Sequence, residues 1–568
     1  MGEFFRQAAR LGDRPLVFHH QEGEWQPVRW SEMSSRSLAL AGHLIEAGVK
    51  HGDRVLLMSA NCVEWLYADL AIQTVGAIPV PVYPSTTAEV AEQIAKNSRA
   101  VLAIVADAKM AAKLDGKGTL KQVVRIDGEL RRWIAKEPSP ELMRKIEARA
   151  RKVAPEDLAT IVYTSGTTGQ PKGVMLTHQA ITDMVDSSLE AFPVGEDDVA
   201  LSFLPYAHIF ERVSGTYVGV RSGATGYLAR GMDNLMADLK EVRPTLMCAV
   251  PRVFEKMHAA VMAQVDHAAP HRRALFHWAL RQGSRGGPLK RVADRLVLKP
   301  LRDHLTGGRL RYFVSGGAPL AEHVEEFFWS VGIPVLQGWG MTETSSGGTA
   351  NTLTKHRVGT VGRALPGVEL KIAEDGEVLI KSPGNMTGYY RDEKATSEIL
   401  GAGGWLHTGD IGELDRGGYL KITDRKKDLI KTAGGKYVAP QPLEAKLQDD
   451  PLIERAVVIG DQRPFVTALI VPDWEAVRTR LGVAGEAEKL TSNPKVNAAI
   501  QKRVDEVNSK LGSWEQIKYF ALLAEDFSEE RGEITPSLKV KRRVVQQGYQ
   551  QQIDEMYSRT REPAGKTG

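Results

Sequence analysis

Apolar and polar positions in the first third of the chain switch between two periods. Residues 30–47, WSEMSSRSLALAGHLIEA, space their apolar side chains at three and four, the period of an amphipathic helix. Residues 54–58, RVLLM, are a short unbroken apolar run, the texture of a buried strand. Helical spacing returns over 63–75, followed by the apolar strand 77–82. This order predicts a βαβ unit and a parallel sheet. The alternation recurs around 101–105 (VLAIV) and 246–250, each preceded by helical sequence, so two related α/β sheets are expected. From about Val358 the pattern shortens into strands and turns, VELKIAEDGEVLIKSPG, with a hairpin at Glu374-Asp375-Gly376. The strand 419–423 precedes DRKKDLIKTAGGKYVAP, a run of charge and glycine with the character of an exposed hinge. The expected class is α/β: a large N-terminal domain, 1–424, of two α/β subdomains plus a β-rich subdomain, and a small α+β C-terminal domain, 425–568. The end, EPAGKTG (562–568), reads as disordered, and no internal repeat is present.

Length supports that division, because 568 residues exceed what one compact core holds. With 42% hydrophobic and 25% charged residues the composition is that of a globular protein. Lysine and arginine number 74 against 70 acidic residues, and a net charge of +4 gives no general argument for nucleic-acid binding. Two cysteines in apolar surroundings, Cys62 and Cys248, exclude a disulfide framework and suggest buried thiols in a reduced, intracellular setting. The N-terminus lacks a signal peptide's apolar core, and no stretch approaches the ~20 apolar residues of a membrane span. A cytoplasmic protein is expected.

The densest chemistry follows the apolar strand 158–163. TSGTTGQPKG, residues 164–173, combines glycines that let backbone approach a ligand with the hydroxyls of Thr164, Ser165, Thr167 and Thr168 and the cation of Lys172. On residues alone this is either a polyphosphate cradle or a polar surface turn. It is not the spacing G-x-x-x-x-G-K-[ST], since Gly166 is followed five places on by Pro171.

The full string YTSGTTGQPKGV resembles the signature loop of the adenylate-forming superfamily, the AMP-dependent synthetases and ligases. Further motifs resemble the same family in order over roughly 53–543. The resemblance implies that Thr164, Ser165, Gly166, Thr167, Thr168, Gly169 and Lys172 hold phosphates. In QGWGMTET (337–344), Gly338, Trp339, Gly340, Met341 and Thr342 would bind the nucleotide, with Trp339 on adenine and Thr342 on phosphate. Glu343, with Thr168, would hold Mg²⁺, which favours hard oxygen ligands. In SGGAPL (315–320), Gly316, Gly317 and Ala318 would line the base. In WLHTGDIG (405–412), Asp410 would accept from both ribose hydroxyls, which Arg425 of TDRKKD would also reach. His208, in LPYAHIFER (204–212), would sit beside the acyl carboxylate; taken alone, a histidine among apolar residues is more often a satisfied core residue.

The implied reaction has two steps: a carboxylate attacks the α-phosphorus of ATP, releasing pyrophosphate, and a thiol then takes the acyl group, releasing AMP. In ITPSLKVKRR (534–543), Lys539 falls on the family's catalytic lysine. Leu538 stands where many relatives have glycine, so Lys541 remains an alternative. In this family the small domain is mobile and rotates between steps. Lys427 would be the pivot, and rotation would bring Ala433 with Gly434, Gly435 and Lys436 to a coenzyme A channel, although these glycines also fit a simple turn. The stretch 404–431 and VPRVFEKM (250–257) resemble long-chain fatty acyl-CoA synthetases, which implies a fatty acid, ATP and CoA as substrates. The apolar segment 213–220 lines an acyl tunnel or packs the core. A carrier-protein ligase and a non-catalytic nucleotide- or lipid-binding relative are the competing readings. Finally, 271–305 holds nine Lys or Arg against two Asp with Leu275, Phe276, Trp278 and Leu280 interspersed. It fits peripheral contact with an anionic membrane. It fits equally a solvated helix pair with its apolar side inward, and the shortness of the stripe favours the inward arrangement.

Overall fold

The computed structural model describes residues 2–114, 119–165, 171–535 and 540–558. The chain divides into two compact units. One comprises residues 1–371, 379–408 and 414–420, and the other 372–378, 409–413 and 421–568.

The first unit holds both expected α/β sheets. The strands Ile78–Val82, Arg54–Met58, Leu102–Val105 and Gln122–Arg125 lie side by side in that order, all parallel. Val55, Leu56, Leu57 and Met58 are each fully buried, as expected of a central strand covered on both faces. The helices Trp30–Glu46 and Val63–Thr74 match the helical spans of the pattern to within a residue. The second sheet has nine strands. Its centre is parallel: Val335–Trp339, Tyr312–Ser315, Leu246–Ala249, Val199–Ser202, Thr225–Leu228 and Pro15–Gln21. The first 29 residues, for which the apolar pattern predicts nothing, form the helix Gly2–Leu11 and an antiparallel hairpin, Pro15–Gln21 with Glu24–Arg29, that extends this sheet. Glu22 and Gly23 both take positive φ there, as a two-residue hairpin turn requires.

Parallel strands all point their carboxyl ends the same way, and open α/β sheets bind ligands beyond those ends. Four strands of the large sheet end directly before motif segments: Val199–Ser202 before His208, Leu246–Ala249 before VPRVFEKM, Tyr312–Ser315 before Gly316, and Val335–Trp339 at the tryptophan. A three-stranded antiparallel sheet, Gly388–Tyr389, Pro171–Thr177 and Leu158–Ser165, carries the phosphate loop. The short strands expected after Val358 are present as Glu369–Ile372, Glu377–Lys381, Leu406–Leu414 and Leu420–Arg425, and the division between the units passes through each of them.

The second unit packs helices including Pro440–Gln448 and Pro494–Asn508 on a sheet of Ile453–Ile459, Val466–Pro472 and Ile517–Leu522. Among the described residues no helix is long and apolar enough to cross a membrane. Both cysteines are free. Cys248 is buried and Cys62 only partly so, with its Sγ 3.6 Å from Ser59 Oγ.

Candidate active site

The strands that flank the phosphate loop are paired. Thr164 pairs with Lys172 and Ser165 with Pro171 across antiparallel strands. Gly166, Thr167, Thr168 and Gly169 lie outside the described residues, as does Lys539. Gly173, in the returning strand, has no room for a side chain, because a Cβ would stand 2.8 Å from Ile161 Cγ2. Lys172 extends its Nζ to 5.2 Å from the centre of the Tyr389 ring. Tyr389 pairs with Val174 and donates its hydroxyl to Glu343 Oε1 at 2.8 Å. Burial, then the neighbouring Glu343 carboxylate, push the Tyr389 phenol well above its ordinary range, so it stays a donor. One tyrosine thus joins the loop lysine to the carboxylate expected to hold the metal. Sequence reasoning missed it, since Gly388-Tyr389 has no motif character and lies 46 residues from Glu343.

The QGWGMTET segment is shaped by close backbone approaches. Trp339 ends its strand paired with Thr349, after which the chain turns through the short helix Thr342–Thr344. A Cβ on Gly340 would fall 1.9 Å from the Ser346 carbonyl oxygen, so only glycine fits this turn. Gly348 lies against the indole, where a Cβ would stand 3.0 Å from Trp339 Cε3. The Thr344 hydroxyl accepts from Met341 N at 3.0 Å, and Met386 N donates to the Glu343 carbonyl at 2.8 Å. Glu343 is buried, whereas Trp339 and Thr342 remain partly exposed.

The SGGAPL turn is tied to that strand by Gln337, whose Oε1 accepts from Leu320 N at 3.2 Å while its Nε2 donates to Glu325 Oε2 at 2.5 Å. Glu325 also accepts from Gly359 N at 3.1 Å, and burial raises its carboxyl to about 7. Gly317 has φ +89° and is exposed together with Ala318, leaving backbone open to a planar ligand. Gly316 is buried against the Phe210 ring. Phe210 N in turn donates to His208 Nδ1 at 3.2 Å, so His208 is held beside the same turn.

Immediately after His208 the chain forms a π-helical stretch, Phe210–Tyr217, that buries two charged residues. Arg212, 1% exposed, is ion-paired with Asp69, donates to Thr160 Oγ1 at 2.7 Å and to the Tyr217 hydroxyl at 2.9 Å, and Tyr217 donates to Asp69 at 2.6 Å. Glu211 accepts from Ser202 Oγ at 2.6 Å, its other oxygen has no partner, and burial pushes its carboxyl up to about 8. Glu211 and the segment 215–220 border a mostly apolar cavity of about 70 Å³ that also meets Cys248, Gly226 and Leu201. Val213 and Val218 point into the core instead. Part of the 213–220 segment therefore packs the core, and the rest borders this small cavity.

In the second unit, Asp410 is buried and its Oδ1 lies 3.1 Å from Nε of the half-exposed Arg425. The turn between them is fixed by Lys426, whose N donates to the Gly409 carbonyl at 2.8 Å and whose Nζ meets Asp375 at 2.6 Å and Glu377 at 2.9 Å. Lys427 is exposed. Ala433 to Lys436 form the tip of a hairpin between Ile430–Lys431 and Tyr437–Val438, with Gly435 at φ +75°. The tip is exposed, and Lys436 Nζ lies 5.6 Å from the Trp514 ring centre. Lys541 precedes the helix Arg542–Gly548 and donates its backbone N to Glu533 O at 2.7 Å.

The profile of AMP-binding enzymes matches residues 4–390, and that of the AMP-binding enzyme C-terminal domain matches 427–561. The chain belongs to the AMP-binding enzyme family. This AMP-binding enzyme is 36% identical over 565 residues to the long-chain-fatty-acid–CoA ligase FadD15 of Mycobacterium bovis, covering 95% of this chain and 93% of the relative. It is 33% identical to long chain acyl-CoA synthetase 1 of Arabidopsis thaliana, at 98% and 91% coverage. Among solved structures, the adenylation domain of a carboxylic acid reductase from Segniliparus rugosus, in complex with AMP, superposes with a TM-score of 0.76 at 21% identity, covering 98% of this chain and 94% of that one. That likeness establishes the fold of the AMP-binding enzyme.

Among the described residues no cluster of three acidic, His or Cys side chains forms a ready-made metal cage. A single carboxylate such as Glu343, with one oxygen fixed by Tyr389, suits Mg²⁺ that arrives with nucleotide phosphates.

Proposed function

We propose that this AMP-binding enzyme joins a long-chain fatty acid to ATP as acyl-AMP, releasing pyrophosphate, and then transfers the acyl group to the thiol of coenzyme A, releasing AMP. The observation that carries the proposal is end-to-end similarity to long-chain-fatty-acid–CoA ligases, 36% identity over 95% of the chain, and the contacts that join Lys172, Tyr389 and Glu343 are consistent with it.

In the first step the fatty carboxylate oxygen forms a bond to the α-phosphorus as the bond to pyrophosphate breaks. Two anions must meet, so positive charge and donors are the main requirement. Lys172 and the hydroxyls of Thr164, Ser165, Thr167 and Thr168 serve the pyrophosphate side. Trp339 offers its indole face to adenine, and Gly316, Gly317 and Ala318 offer backbone. Asp410 accepts from ribose with Arg425 orienting it, and His208 stands by the carboxylate. Lys539 bridges carboxylate and α-phosphate. Glu343 and Thr168 would hold Mg²⁺, which offsets phosphate charge when bound. In the second step the small domain, taken as 425–568 with its hinge at Lys427, presents Gly434, Gly435 and Lys436 to the pantetheine arm. The thiol sulfur then bonds to the acyl carbon and AMP leaves with the electron pair. The proposed site of action is the cytoplasm.

The test is whether AMP release depends on free CoA. Multiple turnovers of AMP with CoA, and a single enzyme-bound acyl-AMP without it, are expected. Turnover only when a carrier protein replaces CoA would assign the second step to a different acceptor.

A further inference from the structure

The helix Glu322–Val331 buries Val324, Glu325, Phe327, Phe328 and Val331, so one carboxylate stands among apolar side chains. Glu325 is 0% exposed. A charged group in such a place is costly unless hydrogen bonds replace the water it gives up. Glu325 Oε2 accepts from Gln337 Nε2 at 2.5 Å and from Gly359 N at 3.1 Å, while Oε1 has no partner among the described residues. An apolar side chain would suit the helix face alone better, so what Glu325 contributes lies in the two distant segments it joins.

Gln337 is itself buried, and its Oε1 accepts from Leu320 N at 3.2 Å. The parallel ladder between Tyr312–Ser315 and Val335–Trp339 ends at the pair Ser315 and Gln337, and Gly338 pairs with Ala350 instead. Beyond that pair the ladder no longer ties the SGGAPL turn to the Trp339 end of the strand. The Gln337 side chain takes over there, spanning from strand to turn, and Glu325 fixes its amide from the other end. Asn351 adds a clamp behind the strand: its N donates to the Gln337 carbonyl at 2.8 Å and its Nδ2 to the Thr360 carbonyl at 2.7 Å. Gly359 comes so close to the helix that a Cβ would stand 2.4 Å from Glu322 Oε1, and its φ of +75° also calls for glycine.

We propose that Glu325 and Gln337 are positioning residues for adenine, setting the separation between the Gly316-Gly317-Ala318 backbone and Trp339 through the turn and the strand. The proposal rests on the adenine roles proposed for those residues. A planar ring bounded by two walls is held well only when the walls are fixed by their own supporting hydrogen bonds, so loosening either wall lowers both affinity and discrimination among bases. The phosphates and the acyl chain depend on other segments.

The test measures pyrophosphate exchange with ATP and with GTP for Glu325→Leu, Gln337→Met and Glu325→Gln, with Trp339→Ala beside them. A buried hydrogen bond to a charged group corresponds to roughly 10- to 100-fold in affinity. Glu325→Leu and Gln337→Met should each raise KM for ATP by about tenfold or more and cut the preference for ATP over GTP by a similar factor. Their kcat and their KM for the fatty acid should stay within about threefold of wild type. The double variant should do no more than the worse single one, because the two side chains act as one link. Glu325→Gln keeps an acceptor for both donors and should keep KM near wild type. A residue that only stabilised the fold would lower the active fraction, and hence kcat, without changing KM for ATP alone. Unchanged KM for ATP in both Glu325→Leu and Gln337→Met, beside a raised one in Trp339→Ala, would overturn the positioning role and leave the adenine site in place. Unchanged KM in Trp339→Ala as well would instead remove the adenine reading on which the role rests. Should Glu325→Leu fail to fold, Gln337→Met decides by the same two ratios.

Discussion

Replacing Tyr389 by phenylalanine removes one hydroxyl and keeps the ring over which Lys172 sits. The lost group donates to Glu343 Oε1 at 2.8 Å, inside a region where both side chains are 8% exposed. A hydrogen bond to a charged group contributes roughly 1.5–3 kcal/mol when its loss leaves the ion without that partner. If Glu343 acts through the pyrophosphate side of the transition state, this loss appears in kcat/KM of the first step as a fall of about 10- to 100-fold, at 1.36 kcal/mol per factor of ten. The assay is acid-dependent exchange of labelled pyrophosphate into ATP, with CoA omitted and Mg²⁺ varied. Tyr389→Phe should lower exchange by that factor and raise the Mg²⁺ concentration needed for half-maximal rate, with a melting temperature near wild type. Exchange within twofold of wild type at every Mg²⁺ concentration, alongside an inactive Glu343→Gln, would show that the hydroxyl does not position the carboxylate.

Arg212→Met leaves Asp69 buried without its counter-ion and should destabilise the chain by about 3–5 kcal/mol in urea unfolding, whereas adding Asp69→Leu should recover much of that loss. A double variant no more stable than the single one would refute this. Glu211 has a folded pKa of about 8, above its ordinary 4.5, so below pH 4.5 both states are protonated and no penalty applies. As pH rises from 4.5 to 8 the unfolded chain releases the proton while the folded chain retains it, and stability falls through that window. Glu211→Gln lacks this slope, so its stability relative to wild type should grow between pH 5 and 8, approaching a few kcal/mol. A difference that stays flat with pH would contradict it. Lys539→Ala should suppress adenylate formation yet leave thiolysis of supplied acyl-AMP largely intact; equal loss of both half-reactions would remove the lysine from its assigned step.

The parallel sheets were legible because their signal is local. Strand Arg54–Met58 and helix Val63–Thr74 follow directly from apolar spacing, and the turn at Gly340 is local too, since Ser346 is six residues away. What the chain conceals depends on distant partners. Nothing local marks Arg212 as buried, because Asp69 and Thr160 come from other segments to satisfy it. Tyr389 reaches Glu343 only through strand pairing with Val174, and Gln337 bridges two motifs through Leu320 and Glu325. In the basic stretch 271–305 the inward arrangement holds for Phe276, which is buried, and for Trp278 and Leu280, which pack against core clusters, while Leu275 is exposed.

The central claim is tested most directly by measuring AMP and acyl-CoA formation from ATP and CoA with acetate, octanoate and palmitate in parallel. The account predicts stoichiometric AMP and acyl-CoA with palmitate and much less product with acetate. No reaction with any acid longer than octanoate would contradict it.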